Sequence, residues 1–505
     1  MQSKIQNQQQ PAKINEKQQQ QLYEQKMLNK YKDCEKDGIL CLHYCNEIGS
    51  LEFIENFNIQ KLRIEACNYI IPDMYSDAIR ELYIIKSRIA TLNQLCLSNL
   101  KTLSIIDVPN ILIESLEYPK LKKLILIKIE LSNISFLSQL ITLTQLNLSD
   151  NKIYNISTLK HLINLQHVDL SLNYISDISS LQYLIKLTYL DLGKFGQTTM
   201  TLNKIQNIVA LKSLIHLKYL DLSNNNINDI NVLENLTNLT ELNLSCNQIT
   251  DIVPLQNLKN ITNLKLDYNI LNNVDFIELK LLKSLQELSL SYNQITDART
   301  LLNFPTNIRI LNISNNQFSD ISTIRKLKQL TKLNASNNKL VNVDALEELN
   351  NITDLDISKN SIIYVYPLLK LIKLQKFKIT ENKILDYDAI QAALACFQPQ
   401  YLPFAPKTQN VGFEGGVLPQ SVINKENMKG LQTQPSVEQI NFANSIRTVD
   451  QIQSTVQKIY EKQKNLRKRC NNFNQKLKFI VQEQTNKQIQ FTSLIITLLN
   501  IFGSE

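Results

Sequence analysis

His167, Asp169 and Ser171 stand two positions apart and are the residue types of a hydrolytic relay. On an extended strand, however, alternate side chains lie roughly 6.5–7 Å apart, too far for the hydrogen-bonded relay that such chemistry needs. We therefore do not read them as catalytic. The chain has no Gly-rich Lys-Ser/Thr phosphate loop and no His-Glu-x-x-His zinc helix, and its 9 glycines in 505 residues leave little material for phosphate-binding turns. Its 8 cysteines include no Cys-x-x-Cys pair, so zinc-ligand spacing is missing. Five of them (Cys34, Cys41, Cys45, Cys67, Cys96) crowd the first hundred residues and hint at a disulfide-bonded cap. The expectation is a chain with no catalytic residues, metal site or cofactor.

What positions these residues is a repeat. The segment Leu143, Leu146, Leu148, Asn151, Ile153, Ile156, Leu159 returns as Leu165, Val168, Leu170, Asn173, Ile175, Ile178, Leu181 and again as Leu239, Leu242, Leu244, Asn247, Ile249, Ile252, Leu255. The asparagine recurs at Asn151, Asn173, Asn203, Asn225, Asn247, Asn269, Asn293, Asn316, Asn338, Asn360 and Asn382, with steps of 22 to 24 and one of 30. Upstream the apolar frame continues while Ile129, Val108, Ser87, Cys67 and Cys45 replace the asparagine, giving about sixteen repeats. Cysteine is an accepted substitute at that slot, which weakens the disulfide reading.

Each part of the template has a physical role. Leu146 and Leu148 alternate as a strand with one buried face requires, so stacked repeats build a parallel sheet. The asparagine amide carries two donors and an acceptor, enough to satisfy turn backbone in its own repeat and the adjacent one. Beyond it the apolar spacing becomes three, which suits short helical or 3₁₀ turns on an outer wall.

With these residues in place, positions about 40–390 resemble the short, 22-residue class of leucine-rich-repeat proteins, which includes the regulatory subunit of protein phosphatase-1 and the bacterial internalins. The resemblance implies an α/β leucine-rich-repeat solenoid, with a parallel sheet on the concave face and short helical or 3₁₀ turns on the convex face. It also implies a binding module that holds a protein ligand on the concave face.

Residues 1–35 are polar and Gln-rich and are expected to be disordered, residues 36–398 form the solenoid, and residues 399–435, with 5 of the 12 prolines, are a linker or irregular cap. From Val449 to Ile501 apolar residues follow steps of three and four, which predicts an amphipathic helix or coiled coil over 436–505 that packs back, self-associates or meets a partner helix. The net charge of +8 divides into +2, zero, +1 and +5 over these four segments, so the repeat array is neutral and no nucleic-acid partner is expected. The first thirty residues lack the apolar run of a secretory leader, and no stretch reaches the ~20 apolar residues of a membrane span. Asn-x-Ser/Thr matches such as Asn147 and Asn243 fall inside strands, where a glycan would block folding. The expected location is the cytoplasm, with the nucleus as an alternative.

Function should be written at the variable strand positions. One set is apolar, namely Tyr83, Ile85, Ile106, Ile125 and Ile127, either a contact surface or a patch covered by the chain's own ends. A second set places His167, Tyr189 and Tyr219 in one row and Asp169, Asp191 and Asp221 in the next, with Tyr268 and Tyr292 extending the aromatic edge. Tyrosine suits interface hot spots, and a row of carboxylates would select a basic partner. An insertion at Phe195 to Leu202 emerges near Tyr189. The expected function is a non-enzymatic intracellular scaffold or adaptor; the alternatives are a regulatory subunit of a protein phosphatase and a cell-surface adhesion protein.

Overall fold

A computed structural model describes residues 38–43, 59–67, 74–87, 95–109, 111–193, 202–272 and 276–386. The Gln-rich segment, the Pro/Gly segment, the heptad segment, Cys34, Cys45 and all of the insertion except Leu202 lie outside the described residues. Those described fall into two compact units, one running to Asn316 without 297–302, the other taking 297–302 and everything from Gln317 onward.

The first unit carries β1 (Ile39–His43), β2 (Lys61–Glu65), β3 (Met74–Tyr75), β4 (Glu81–Ile85), β5 (Leu95–Cys96), β6 (Thr102–Ile106) and β7 (Lys123–Ile127). It continues with β8 (Gln145–Asn147), β9 (His167–Asp169), β10 (Tyr189–Asp191), β11 (Tyr219–Asp221), β12 (Glu241–Asn243), β13 (Asn263–Lys265), β14 (Glu287–Ser289) and β15 (Ile310–Asn312). All except β3 and β5 pair in parallel, each with the next. The second unit carries β16 (Lys332–Asn334), β17 (Asp354–Asp356) and β18 (Lys376–Lys378), also parallel and in order. This is a leucine-rich-repeat solenoid: one sheet strand per repeat, joined from Ser135 onward by one short turn per repeat, with the recurring leucines and isoleucines buried between them.

Strand length follows side-chain chemistry. The early strands are five residues of alternating burial, such as Lys123–Ile127 with Leu124 and Leu126 inside. Later strands stop at three, and in most of them an Asx side chain at the third position captures the backbone N–H two residues on: Asn147 accepts from Ser149, Asp169 from Ser171 and Asn243 from Ser245, whereas β13, β14 and β18 end at Lys265, Ser289 and Lys378. A side-chain acceptor of this kind competes with the neighbouring strand for the amide and ends the pairing.

The eleven repeated asparagines form a continuous series in each unit. Asn151 Nδ2 donates to the carbonyls of Leu126, Leu148 and Ser149, and its Oδ1 accepts from Ile129 N–H and Leu131 N–H. Every later one likewise accepts an N–H of the preceding repeat, from Ile153 to Asn173 through to Ile362 to Asn382. Cys67 occupies the same geometry: its thiol reaches the carbonyls of Leu42 and Glu65, 25 and 2 positions upstream, and its N–H donates to the Ser87 hydroxyl. Asn151 bonds carbonyls at the same two offsets. Cys41, Cys67, Cys96 and Cys246 are free thiols.

The corner itself is turned one residue before the asparagine. Asp150, Leu172, Asn224, Cys246, Tyr268, Tyr292, Asn315, Asn337, Lys359 and Glu381 all adopt positive φ, between 51° and 57°. That conformation costs a non-Gly residue on the order of 1 kcal/mol. It is repeated because it aims the N–H at a carbonyl of the next repeat, as Asp150 does to Ser171 and Cys246 to Asp267. Glycine is dispensable there because the requirement is met by an inter-repeat hydrogen bond.

On the outer wall 3₁₀ turns begin with Ser135–Gln139 and recur in each later repeat. Asn133, Asn155, Asp177, Asn207, Asp229 and Asp251 each accept the N–H two residues on and so set the start of a turn. In the earliest repeats the described wall is instead the two-strand pair of β3 with β5.

Candidate binding face of the first unit

The outward residues of β8 to β12 form two rows. The first reads Gln145, His167, Tyr189, Tyr219, Glu241, and the second Asn147, Asp169, Asp191, Asp221, Asn243, all in direct register. Strand spacing sets the rings one above another. His167 and Tyr189 stack with centroids 3.8 Å apart and planes at 12°, and Tyr189 and Tyr219 stack at 4.3 Å and 5°. Packing three planar side chains against one another removes most of their rotamer freedom before any ligand arrives, which lowers the ordering cost of binding.

The aspartates have two duties. Asp169 accepts from Ser171 N–H at 3.0 Å, from the Ser171 hydroxyl at 2.7 Å and from Asn147 Nδ2 at 2.8 Å. Asp191 accepts from Gly193 N–H, and Asp221 from Ser223 N–H and Asn243 Nδ2. These donors are all neutral groups, and among the described residues no basic side chain lies within ion-pair distance of Asp169 or Asp221. Ser171 therefore serves Asp169 and has no hydrogen bond to His167.

This field shows in the neighbouring side chains. Burial first, then Asp191 and Asp169, push the Tyr189 hydroxyl up to about 12, and Tyr219 is raised further by burial and Asp221. His167 is lowered from its ordinary 6.5 by burial, which outweighs the opposing pull of Asp169 and is reinforced by Lys123. An NMR titration with selectively labelled histidine should give His167 a midpoint below 6.5, and Asp169→Asn should lower it further. The folded value lies below the unfolded one, so the unfolded chain binds more protons between them, and His167 makes stability fall as the pH drops through about 6.5.

Not every expected neighbour joins this face. Tyr268 and Tyr292 do stack, at 3.9 Å and 10°, but they occupy the positive-φ corner after β13 and β14. They form a separate edge pair, and the aromatic row is continued instead by Glu241, Asn263 and Glu287. Their phase differs as well, since Tyr268 and Tyr292 stand directly before Asn269 and Asn293 whereas Tyr219 stands on the strand ahead of Asn225. The apolar set also divides: Ile85, Ile106 and Ile127 are register partners, whereas Tyr83 and Ile125 lie in the next row with buried Ser104 between them. Tyr83 donates to Glu81 at 2.9 Å and lies under the Lys61 ammonium.

One feature of the edge escaped the sequence reading. Asn164 and Asn238 donate through Nδ2 to the carbonyls of Ile141 and Ile215, a second asparagine bridge at the turn that enters the sheet. The residues whose carbonyls are held, Ile141 and Ile215, are themselves exposed, as are Ile163 and Ile185 between them. An isoleucine two positions before the first template leucine was the available signal.

Among the described residues no group of three or more His, Cys, Asp or Glu is arranged to hold a metal ion, and no helix is long and apolar enough to cross a membrane.

Repeats, ladder and parallel sheet together define the class: the chain is a leucine-rich-repeat protein. The family described as "Leucine Rich repeats (2 copies)" matches residues 306–351, and "Leucine Rich repeat" matches 139–155, 213–230, 235–252 and 282–298. Among solved structures, a leucine-rich-repeat protein of Leptospira interrogans is 26% identical over 71% of this chain and 94% of its own, with a TM-score of 0.62. An internalin of Listeria monocytogenes is 29% identical over 55% of this chain and 80% of its own, with a TM-score of 0.51. A plant peptide hormone receptor in complex with RGF2 shares the fold at 19% identity, covering 68% of this chain and 62% of its own, with a TM-score of 0.50. No curated protein sequence matches the chain significantly. Proteins of this family are generally binding scaffolds without enzymatic activity.

Proposed function

We propose that this protein is a non-enzymatic intracellular scaffold that holds a protein ligand on the open sheet face of its first unit, centred on β9 to β11. The observation that supports this most directly is the stacked row His167, Tyr189 and Tyr219, held in place by strand register beside three aspartates. These rings are half-buried and already ordered by stacking, and tyrosine is enriched among the residues that carry binding energy in protein interfaces. Affinity capture with the full chain and with Tyr189→Ala/Tyr219→Ala tests it: the double variant should lose its principal partner, and an identical set of captured proteins would remove the proposal.

The similarity to a Listeria internalin favours a second reading, adhesion at a cell surface. Locating the tagged full chain separates the two, since a strictly extracellular signal would exclude the intracellular scaffold.

A further inference from the structure

An acidic stretch of the face and a run of exposed isoleucines at its edge overlap at β9 to β11. In the two rows from β8 to β12 there are four carboxylates, Asp169, Asp191 and Glu241 at the surface and Asp221 buried, and no lysine or arginine; the first cations on either side are Lys123 on β7 and Lys265 on β13. At the turn that enters these strands, Ile141, Ile163, Ile185 and Ile215 are 55%, 53%, 53% and 48% exposed. Each stands four positions before a residue of the aromatic row: Ile141 before Gln145, Ile163 before His167, Ile185 before Tyr189, Ile215 before Tyr219. In the following repeats the same slot holds Thr237, Lys259 and Lys283. Four consecutive repeats, those of β8 to β11, thus carry an exposed isoleucine at this slot, and three of them, β9 to β11, have an acidic and aromatic face; the slot holds an exposed isoleucine again at Ile372, before the basic strand β18.

Neither half is explained by folding. Like charges opposite one another on adjacent strands are destabilising, and Asp169, Asp191 and Asp221 are register partners. Asparagine fills that position in β8, β12, β15 and β16 and makes the same hydrogen bond to the N–H two residues on, so the turn does not require the charge. The isoleucine side chains likewise gain little from a position where about half of each remains in water.

We infer that the ligand of this face is a segment with two stripes, one of arginine or lysine and one of aliphatic side chains, the first lying on the Asp/Tyr rows and the second on the isoleucine ladder. The inference rests on the proposal that the face binds a protein. Charge complementarity fixes the orientation: the carboxylates attract cations, and Lys186 and Lys218 at the entry edge repel cations from the ladder. A helix is about 10–12 Å across with a pitch of 5.4 Å, close to the roughly 4.8 Å strand spacing, so successive helical turns can meet successive repeats.

The test uses the full chain and three labelled peptides of about 14 residues, one of Arg and Leu in an amphipathic helical pattern, one with Glu for Arg, and one with Ser for Leu. The Arg/Leu peptide should bind about tenfold more tightly than either other peptide, and its affinity should fall several-fold between about 0.05 and 0.3 M salt. Asp169→Asn/Asp191→Asn, which keeps the turn acceptors, should weaken it about tenfold, and Ile163→Ser/Ile185→Ser should weaken it while leaving the Arg/Ser peptide unchanged. Equal binding of the Arg/Leu and Glu/Leu peptides, or of Arg/Leu and Arg/Ser, would overturn the inference, as would indifference to either double variant. Loss of binding with Tyr189→Ala/Tyr219→Ala alone, with the aspartate and isoleucine variants silent, would overturn it and leave the proposed face standing. Binding that depends on the aspartates and isoleucines but ignores the tyrosines would remove the aromatic row as the centre of the site and keep the two-stripe ligand.

Discussion

Asn247→Leu should destabilise the first unit by roughly 3–4 kcal/mol, although it replaces a polar side chain by an apolar one of similar size in a buried position. Asn247 is 8% exposed and makes four hydrogen bonds: Nδ2 donates to the carbonyls of Leu222, Leu244 and Ser245, and Oδ1 accepts from Ile227 N–H. Leucine would leave that N–H with no acceptor in a place water does not reach, at about 1–3 kcal/mol, and would strip the carbonyls of their shared donor. The apolar gain is small because leucine cannot fill the volume without pushing the two turns apart. Chemical denaturation measures the loss. Hydrogen exchange locates it, and Ile227 N–H should show the largest acceleration. Asn247→Cys is the informative comparison, because Cys67 shows a thiol reaching carbonyls from this slot. It should cost about half as much, since the donor survives and only the acceptor for Ile227 is lost. A leucine variant with wild-type stability would mean that the buried hydrogen bonds do not hold the repeats together.

Gly193→Ala should cost about 2–3 kcal/mol for a different reason. Gly193 stands where the neighbouring repeats carry Ser171, Ser223 and Ser245, so a side chain is ordinarily welcome at this slot. Here a Cβ would meet the Asp221 carboxylate and would lie 2.6 Å from both the backbone nitrogen and the hydroxyl of Ser223. Asp221 could swing aside, but the Ser223 nitrogen is held in a hydrogen bond to Asp221 and belongs to the next turn. The strain therefore falls on the backbone between β10 and β11, beneath the Tyr189–Tyr219 stack. Removing a side chain at the equivalent position, Ser171→Gly, should be much milder. A thermal melt of Gly193→Ala that overlays the wild type would show that the close approach between these repeats is relieved at no cost.

Much of the architecture was legible because the repeat reports itself many times over. A single Leu-x-x-Leu-x-Leu could be strand or helix, but the same spacing recurring with one asparagine per turn leaves few ways to bury the leucines and satisfy the amide. The row of His167, Tyr189 and Tyr219 was legible for the same reason, since equal phase in a parallel array means register. Tyr268 and Tyr292 stack as an aromatic edge, but they stand directly before the asparagine, at the positive-φ corner, and so form a pair apart from that row. The role of Cys67 in the ladder, by contrast, followed from its phase and was given its mechanism by two sulfur contacts.

The sequence by itself determined the period, the parallel sheet, the slots that face inward and the residues that share a row, because each of these depends only on phase along the chain. The tertiary structure alone decided why Gly193 cannot carry a side chain, and that Asn164 and Asn238 bridge back to the carbonyls of two exposed isoleucines at the edge of the sheet. Those depend on what the adjacent repeat places at a distance of a few ångströms, and a steric or hydrogen-bonding partner some 20 to 30 residues away leaves no mark on the local pattern.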